Sequence, residues 1–511
     1  MLSFFLTLLV TVLLSFLPER WVKPKPLRPS LKAILLQSSL VTIVFLILTL
    51  IVQRAIFSGI AIFIFLIILV AVSNAKYKAL NEPMVFSDFA MFSQAFKHPR
   101  LYFPFLGLLP VILAPIIIIG LIITVLKLEP ALAFTWQRIL ATLFSILGLS
   151  YTSKKIASSL KLSFKPEEDN ACFGLQNSLY AYTIYALSNQ HKQMIKAVLK
   201  TSPFFTDNPS PPIFTYFSNN KKTKSNIKPN ITVIQSESFF DARRLHPSIK
   251  TDLLKYFDAI CKESIQYGQL QVPAWGANTM RTEFAFLSGI DNKKMELFRF
   301  YPYQFLSKSP LSSIASALKS QGYYCVCIHP HPASFFGRDR LFPALGFDEF
   351  IDINNFEDPE KFGPYISDQS VTDKIIEITK DKTDKPLFIF VITMENHGPL
   401  HLEKTSIEEQ STYFYNNSIK NTNDLSVYLR HLKNADKMLK TLSDTFNKSA
   451  KAHTLCFYGD HIPSMPNIYH LTDYKNANSD YIIWTNQKPK KTPASNTTIS
   501  VENLAKSLLE I

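Results

Sequence analysis

Long apolar stretches fill the first part of the chain, and shorter alternating segments follow them. Four stretches are long and apolar enough to span or nearly span a bilayer: Met1–Leu17, Ala33–Val52, Ala55–Ser73 and Tyr102–Leu126. A fifth stretch, Ala131–Tyr151, is weaker because polar residues interrupt it. The pattern predicts a transmembrane domain of four or five α-helical spans over residues 1–151.

From Ile231 onward, short β-rich segments alternate with amphipathic helical patterns. The predicted strands are Ile231–Ile234, Tyr324–Ile328, Leu387–Thr393, Thr454–Tyr458 and Tyr481–Trp484. The predicted helices are Asp252–Cys261, Thr279–Leu287, Ile314–Gln321, Asp368–Thr379, Asn423–Phe446 and Val501–Leu509. Such alternation is typical of an α/β domain with a mostly parallel central sheet. We therefore predict an α/β domain over residues 230–511, and a connector with membrane-proximal helices over residues 152–229.

Charge bears on the partner and on the orientation. The formal net charge of +14 suits contact with anionic lipid headgroups. Basic surfaces also bind nucleic acid, but the sequence shows neither zinc-finger spacing nor a basic recognition helix, so we expect a membrane and no nucleic acid. Basic loops follow the first and third spans, and the positive-inside rule places both in the cytoplasm. Four spans then leave the large domain outside the cytoplasm, whereas five spans leave its side open.

Side chains that can carry chemistry follow directly after the predicted strands. They are Glu237, His329, His397 and the adjacent pair Asp460 and His461. In parallel α/β sheets, functional sites gather at the carboxyl ends of strands. This shared placement predicts that residues far apart in sequence meet at one edge of the sheet.

Thr279 begins a predicted helix, where the helix dipole and free backbone N–H groups favour a bound phosphate. Its hydroxyl is a poor nucleophile unless a divalent metal lowers its pKa. With Glu237, Asp460 and His461 it would form an O/O/O/N site that suits Mn²⁺ or Mg²⁺ and accepts Zn²⁺. The competing interpretations are a threonine that only caps its helix and a Gly-Asp-His segment that only forms a turn.

A second group of residues suits an anionic substrate. Arg338 offers a guanidinium fork that matches a phosphate in a bidentate manner, and Phe336 is suited to pack beside a glycerol or headgroup. His397 lies in a turn rich in Gly and Pro, where it can donate to a phosphate oxygen or protonate a leaving group. A solvated arginine and a purely structural histidine are the alternatives.

These segments resemble the lipoteichoic acid synthase and phosphoglycerol transferase family, within the alkaline phosphatase/sulfatase superfamily. The resemblance covers the whole architecture, a polytopic N-terminal part and an extracytoplasmic catalytic domain. It implies that Glu237, Thr279, Asp460 and His461 hold one divalent metal ion, typically Mn²⁺, and that Thr279 is the nucleophile. It also implies a glycerophosphate pocket lined by four residues: Arg338, Phe336, His329 and His397.

The resemblance implies a transferase of the bacterial cytoplasmic (inner) membrane with a periplasmic or otherwise extracytoplasmic catalytic domain. Phosphatidylglycerol would be the donor, and an envelope glycan or a glycerol polymer the acceptor. The segment around Thr279 is closer to transferases that modify periplasmic glucans than to polymer synthases. Phe336 stands where polymer synthases tend to have tryptophan, so the headgroup preference is open.

Three other functions compete with this interpretation. A sulfatase needs a Cys or Ser convertible to formylglycine at the position of Thr279, followed by Pro and Arg. A phosphoethanolamine transferase also uses a threonine but usually carries paired cysteines, whereas the five cysteines here are odd in number and indicate no disulfide framework. A membrane scaffold with an inactive domain would be expected to lack a metal ligand, and all four candidates are present.

Overall fold

A computed structural model describes residues 2–91, 108–205, 228–306, 311–380, 384–415, 423–487 and 494–510. The chain forms two compact units, unit 1 (Met1–Gln193) and unit 2 (Met194–Ile511). Their boundary falls inside the predicted connector, of which residues 206–227 lie outside the described ranges.

Unit 1 is built from α-helices. In chain order they are α1 (Leu2–Leu14), α2 (Phe16–Glu19), α3 (Leu31–Val52), α4 (Ala55–Leu80), α5 (Leu108–Leu128), α6 (Trp136–Ser158), α7 (Pro166–Phe173), α8 (Leu175–Ala186) and α9 (Asn189–Leu199), which crosses the unit boundary. Within the described residues, three helical segments are long and apolar enough to cross a membrane: Leu2–Glu19, Leu31–Val52 and Ala55–Leu80. The predicted span Tyr102–Leu126 begins outside the described residues, and the weaker stretch Ala131–Tyr151 corresponds to a helix that begins at Trp136.

The surface of unit 1 is apolar. Leu6, Leu13, Ile51 and Phe65 are each more than half exposed. Water disfavours so much exposed apolar surface, whereas hydrocarbon accepts it when the backbone polar groups are satisfied inside helices. The protein is therefore a membrane protein.

Two carboxylates in unit 1 cap helices. Glu129 accepts hydrogen bonds from the backbone N–H groups of Ile56 and Phe57, both at 2.8 Å, at the start of α4. Glu19 accepts from Leu175 and Gln176 at 2.9 and 3.1 Å, at the start of α8. The first N–H groups of a helix have no partner within the helix, which explains acidic residues in this apolar unit.

Unit 2 contains a nine-stranded sheet and a two-stranded hairpin. The strands are β1 (Asn230–Ser236), β2 (Gln266–Gln271), β3 (Tyr324–Ile328), β4 (Glu349–Ile351), β5 (Lys361–Phe362), β6 (Tyr365–Ile366), β7 (Leu387–Ile392), β8 (His453–Gly459), β9 (Ser479–Thr485), β10 (Ser495–Asn496) and β11 (Ile499–Ser500). The order in the sheet is β10-β2-β9-β8-β1-β7-β3-β4, with β11 beside β2, and the hairpin is β5-β6. Strands β8, β1, β7, β3 and β4 are parallel, whereas β9 runs antiparallel to β8 and β2. This confirms the predicted fold class, an apolar helical part followed by an α/β domain with a mostly parallel sheet.

Helices cover both faces of the sheet. The α-helices of unit 2 after α9 are α10 (Lys255–Glu263), α11 (Thr279–Ser288), α12 (Tyr303–Leu306), α13 (Ile314–Ser320), α14 (Arg338–Ala344), α15 (Asp368–Lys380), α16 (Ile407–Ser411), α17 (Asn423–Asn447), α18 (Pro466–Thr472) and α19 (Val501–Leu509). Short 3₁₀ helices are Ala242–Arg244, Thr251–Leu254, Asn292–Phe300, Phe335–Gly337, Ile353–Asn355 and Leu400–Leu402. Side chains of α10, α15 and α17 share one core cluster with alternate residues of the sheet. On the other face, Phe286 of α11 stacks on Phe390 and Tyr458. Both faces are buried, so the central strands are continuous apolar runs.

Candidate active site

Two neighbouring parallel strands bring the acidic residues of the site together. Ser236, the last residue of β1, pairs in register with Gly459, the last residue of β8, so Glu237 and Asp460 follow at the same level. Ligand atoms of Glu237, Asp460 and His461 all lie within 4.8 Å of one another, and all three residues are buried. The structure thus brings together three residues that the sequence predicted to meet.

Backbone geometry holds Asp460 in place. A Cβ atom on Gly459 would lie 1.7 Å from the carbonyl oxygen of Phe239, so only glycine fits there. Ser238 adopts a left-handed conformation with φ 55°, which is uncommon for a residue with a side chain. Its backbone N–H donates to Asp460 Oδ1 at 2.8 Å, and Thr282 Oγ1 donates to the Asp460 carbonyl at 2.7 Å.

The electrostatics of this cluster fit a divalent cation. His461 Nδ1 donates to the Ile462 carbonyl at 3.0 Å. Its Nε2 lies 3.3 Å from Asp460 Oδ2 and 3.6 Å from Glu237 Oε1. Asp460 Oδ2 is buried and has no hydrogen-bond donor among the described residues.

Two carboxylates and one imidazole therefore direct ligand atoms toward one another in a buried cluster. Burial, and then the charge of Asp460, raises the pKa of Glu237 to about 8, and a cation bound here would offset both effects. A backbone carbonyl that orients the imidazole through its second nitrogen is also typical of metal-bound histidines. The residues present fit the predicted metal ion.

Thr279 is the first residue of α11 and lies beside the acidic cluster. Its hydroxyl faces Glu237 and lowers the pKa of that carboxyl. The cap position belongs to Asn278, which has φ 73° and makes no side-chain cap hydrogen bond. Thr279 is partly exposed, whereas Met280 behind it is buried. The helix-cap interpretation of Thr279 is therefore wrong, and its hydroxyl remains available for chemistry.

Arg338 is buried and held on two sides. Its side chain is 1% exposed, so the solvated-arginine interpretation is wrong. Its Nε and Nη2 donate to the two oxygens of Glu283 at 3.2 and 2.7 Å, and its Nη1 lies 3.3 Å from His329 Nε2. His329 Nδ1 in turn donates to the Ile392 carbonyl at 3.1 Å, which leaves Nε2 as an acceptor. Much of the guanidinium is already engaged, and contact between Arg338 and a phosphate stays a prediction.

Aromatic rings surround this ion pair. The ring of Phe336 lies 5.1 Å from the Arg338 guanidinium carbon, and Phe336 itself has φ 57°. Tyr303 donates its hydroxyl to Glu283 Oε1, and burial raises the pKa of Tyr303 well above its usual value. Burial, with the charge of Arg338, also lowers the pKa of His329 well below its usual value, so its ring is neutral.

His397 and Tyr365 form the remaining wall. His397 Nδ1 donates to the Gly398 carbonyl at 2.7 Å, which leaves Nε2 for a substrate, and burial lowers the pKa of His397. The Tyr365 hydroxyl lies 3.3 Å from the same Nδ1 and donates to the Gly398 carbonyl at 3.2 Å. Burial, then the charge of Glu237, raises the pKa of Tyr365. No sequence pattern indicated Tyr365, which lies in a strand of only two residues.

Comparisons with known proteins agree with this fold. A sulfatase family model matches residues 229–511, more than half of the chain. The capsular polysaccharide biosynthesis protein RkpI of Rhizobium meliloti is 26% identical over 439 residues, which cover 82% of this chain and 75% of that protein.

Two solved structures are also similar. The integral membrane lipooligosaccharide phosphoethanolamine transferase A of Neisseria meningitidis is 12% identical, with a TM-score of 0.52 over 93% of this chain and 87% of that one. The phosphoglycerol transferase GacH of Streptococcus pyogenes, in complex with sn-glycerol-1-phosphate, is 21% identical, with a TM-score of 0.45 over 64% of this chain and 80% of that one. The family model confirms the superfamily that the sequence resembles: the protein is a member of the sulfatase family.

Proposed function

We propose that the protein is a membrane-anchored, metal-dependent phosphoglycerol transferase. It moves glycerophosphate from phosphatidylglycerol to a hydroxyl of an envelope glycan or polyol, through an intermediate on Thr279. The observation that carries this proposal is the position of the Thr279 hydroxyl beside Glu237, whose pKa it lowers, next to a buried cluster of Glu237, Asp460 and His461. A nucleophile beside an electron-rich metal site is the arrangement that phosphoryl transfer requires.

Each residue of the cluster has a role in the first half-reaction. One divalent ion, which we propose to be Mn²⁺, would be held by Glu237, Asp460, His461 and Thr279. When bound, the ion lowers the pKa of the threonine hydroxyl and neutralises charge on the phosphoryl oxygens. Thr279 Oγ1 forms a bond to phosphorus, and the bond from phosphorus to the diacylglycerol oxygen breaks. Diacylglycerol leaves, and glycerophosphate stays on Thr279.

His397 transfers the protons in both half-reactions. Its Nδ1 is occupied by the Gly398 carbonyl and burial keeps the ring neutral, so Nε2 accepts a proton before it donates one. We assign to Nε2 the transfer of the Thr279 proton to the departing diacylglycerol oxygen. In the second half-reaction the acceptor hydroxyl gives its proton to the same nitrogen and attacks phosphorus. The bond from phosphorus to Thr279 Oγ1 breaks, and Nε2 returns the proton to the released threonine hydroxyl.

Arg338 is assigned to the phosphate pocket with His329 and Phe336. Two of its nitrogens are held by Glu283, which fixes the plane of the guanidinium, and a fixed fork loses less entropy when it binds a phosphate. The neutral His329 accepts from Nη1 and limits its rotation further. Phe336 supports the guanidinium through a cation–π contact.

The membrane and the relatives support the substrate classes. Apolar helices keep the enzyme at the bilayer that contains its lipid donor, and we place unit 2 on the extracytoplasmic side of the bacterial inner membrane. The similarity to RkpI, named for capsular polysaccharide biosynthesis, supports an envelope glycan as acceptor. All five cysteines lie within the described ranges and are free, which favours phosphoglycerol over phosphoethanolamine transfer.

The test compares two lipid donors. The full chain in detergent with Mn²⁺ receives phosphatidylglycerol or phosphatidylethanolamine, and released diacylglycerol is measured. We expect release from phosphatidylglycerol by the wild type, less by Thr279→Ser and none by Thr279→Ala. Release from phosphatidylethanolamine alone would assign the alternative function, phosphoethanolamine transfer. Release from neither lipid would reject both.

A further inference from the structure

Unit 2 contains a small polar cavity beside the candidate active site. Its volume is about 190 Å³, and six residues line it: Glu360, Phe362, Gln369, Glu395, Asn434 and Lys437. One water occupies about 30 Å³ in the liquid, so the cavity has room for roughly six waters, or for a single small molecular unit such as one sugar ring. The lining combines hydrogen-bond donors, acceptors and one aromatic ring.

The carboxylate of Glu395 is fixed and compensated. Glu395 is 1% exposed. His431 Nδ1 at 2.9 Å and Asn434 Nδ2 at 2.6 Å donate to its Oε1, and the backbone N–H of Asp368 donates to its Oε2 at 2.6 Å. His431 Nε2 also lies 3.0 Å from Glu403 Oε1. Burial by itself would lower the pKa of His431, but the hydrogen bonds to the two glutamates raise it to about 9, so the imidazolium balances Glu395.

The charges around the cavity favour a neutral ligand. With Glu395 balanced by His431, the remaining charged residues of the lining are Glu360 and Lys437, one of each sign. An anion would meet the carboxylate of Glu360, and a cation would meet the ammonium of Lys437. Gln369 and Asn434 add amides that pair with hydroxyl groups in either direction. A hydroxyl-rich neutral unit satisfies both kinds of partner.

The cavity and the candidate active site share the same structural elements. Phe362 in β5 pairs directly with Tyr365 in β6, and residues directly opposite each other in an antiparallel pair extend from the same face. Phe362 contributes to the cavity, whereas the Tyr365 hydroxyl lies beside His397. Glu395 lies two residues before His397 in the turn after β7. The β5-β6 hairpin therefore contributes both to the cavity and to the wall beside His397, and we expect a molecule bound in the cavity to extend toward His397.

We propose that this cavity is the subsite for one hydroxyl-rich unit of the acceptor, a sugar ring or a polyol, adjoining the unit that is modified. Phe362 supplies an apolar surface for the ring, and the polar lining orients its hydroxyl groups. This inference rests on the proposed function, because only a transferase needs a second substrate. It assigns acceptor specificity to the β5-β6 hairpin and α15.

Transfer assays test the subsite on the full chain in detergent, with phosphatidylglycerol, Mn²⁺ and either glycerol or a linear glucose heptasaccharide as acceptor. The variants are Phe362→Ala and Gln369→Ala. Gln369 is exposed, so its replacement does not threaten folding. Tyr415→Ala is the control, an exposed aromatic residue outside the cavity lining. We expect both cavity variants to need about tenfold more of one acceptor for half-maximal transfer, and the control to match the wild type. The acceptor affected identifies a sugar or a polyol.

Two results overturn the subsite. One is that the wild type releases diacylglycerol and both variants saturate at the same concentrations of both acceptors as the wild type does. The other applies if the proposed function fails and the wild type cleaves no donor. Saturation-transfer NMR of the heptasaccharide and of glycerol then measures binding of these acceptors without any lipid. Signal that is lost in Phe362→Ala and kept in Tyr415→Ala supports the subsite, and equal signal, or none from the wild type, rejects it.

Discussion

Removal of the Glu283 carboxylate leaves the positive charge of Arg338 uncompensated inside unit 2. The two side chains are 0% and 1% exposed, and their shortest contact is 2.7 Å. Breaking one side of a buried ion pair typically costs about 3–5 kcal/mol. We expect this loss of unfolding free energy for Glu283→Ala, and a smaller loss for Glu283→Gln, which keeps the shape and one acceptor.

A double replacement separates the stability of this pair from its function. Glu283→Leu together with Arg338→Met replaces the pair by apolar side chains, and such exchanges are often neutral or stabilising. The double variant should therefore melt closer to the wild type than Glu283→Ala does. It should release no diacylglycerol, because the guanidinium that we assign to the phosphate is gone.

Thermal unfolding of the full chain in detergent, followed by tryptophan fluorescence, measures the first effect. In a domain of moderate size, 1 kcal/mol corresponds to about 2–4 °C, so we expect Glu283→Ala to lower Tm by roughly 10 °C. A Glu283→Ala protein that melts with the wild type would show that the pair does not stabilise unit 2. A double variant that cleaves phosphatidylglycerol normally would remove Arg338 from the donor pocket.

Three other results are expected from thermal melts and activity assays. EDTA should lower Tm and Mn²⁺ should restore it, since an ion at 100 times its Kd adds about 2.7 kcal/mol of stability. Asp460→Ala should abolish this response. A wild-type Tm that EDTA leaves unchanged would contradict the metal site. Gly459→Ala should destabilise the protein because its Cβ meets the Phe239 carbonyl, whereas Gly148→Ala, with open space around it, should not; equal melts would contradict this steric argument. The raised pKa of His431 contributes stability that is complete below about pH 6.5 and is lost as the pH rises to about 9. In His431→Gln, Tm should therefore lack this dependence on pH. If Tm of the variant falls with pH as steeply as that of the wild type, other groups cause the dependence.

The central strands could be predicted because burial on both faces makes them continuous apolar runs. Ile231–Ile234 lies within β1, and the helix predicted at Val501–Leu509 has the bounds of α19. Strand β2 (Gln266–Gln271) was not predicted. Four of its six residues are partly exposed, and only Leu270 is buried, so the segment has no apolar run or clean alternation. Its place in the sheet comes from pairing with β9.

The acidic part of the candidate site was predictable because its residues follow strands. Glu237 and Asp460 could be found in this way because parallel strands end at the same edge. The Arg338–Glu283 pair joins residues 55 positions apart, and the Tyr365–His397 contact joins residues 32 positions apart. Glu283 and Tyr365 do not follow a predicted strand, so only the tertiary structure reveals their contacts with Arg338 and His397.

The most direct test of the account is to trap the intermediate. The full chain with Mn²⁺ is mixed with phosphatidylglycerol labelled in its headgroup glycerol, quenched with acid within the first turnovers, digested and analysed by mass spectrometry. The account predicts one labelled peptide with glycerophosphate on Thr279, and no label in Thr279→Ala. Label on another residue, or turnover of Thr279→Ala at the rate of the wild type, would contradict it.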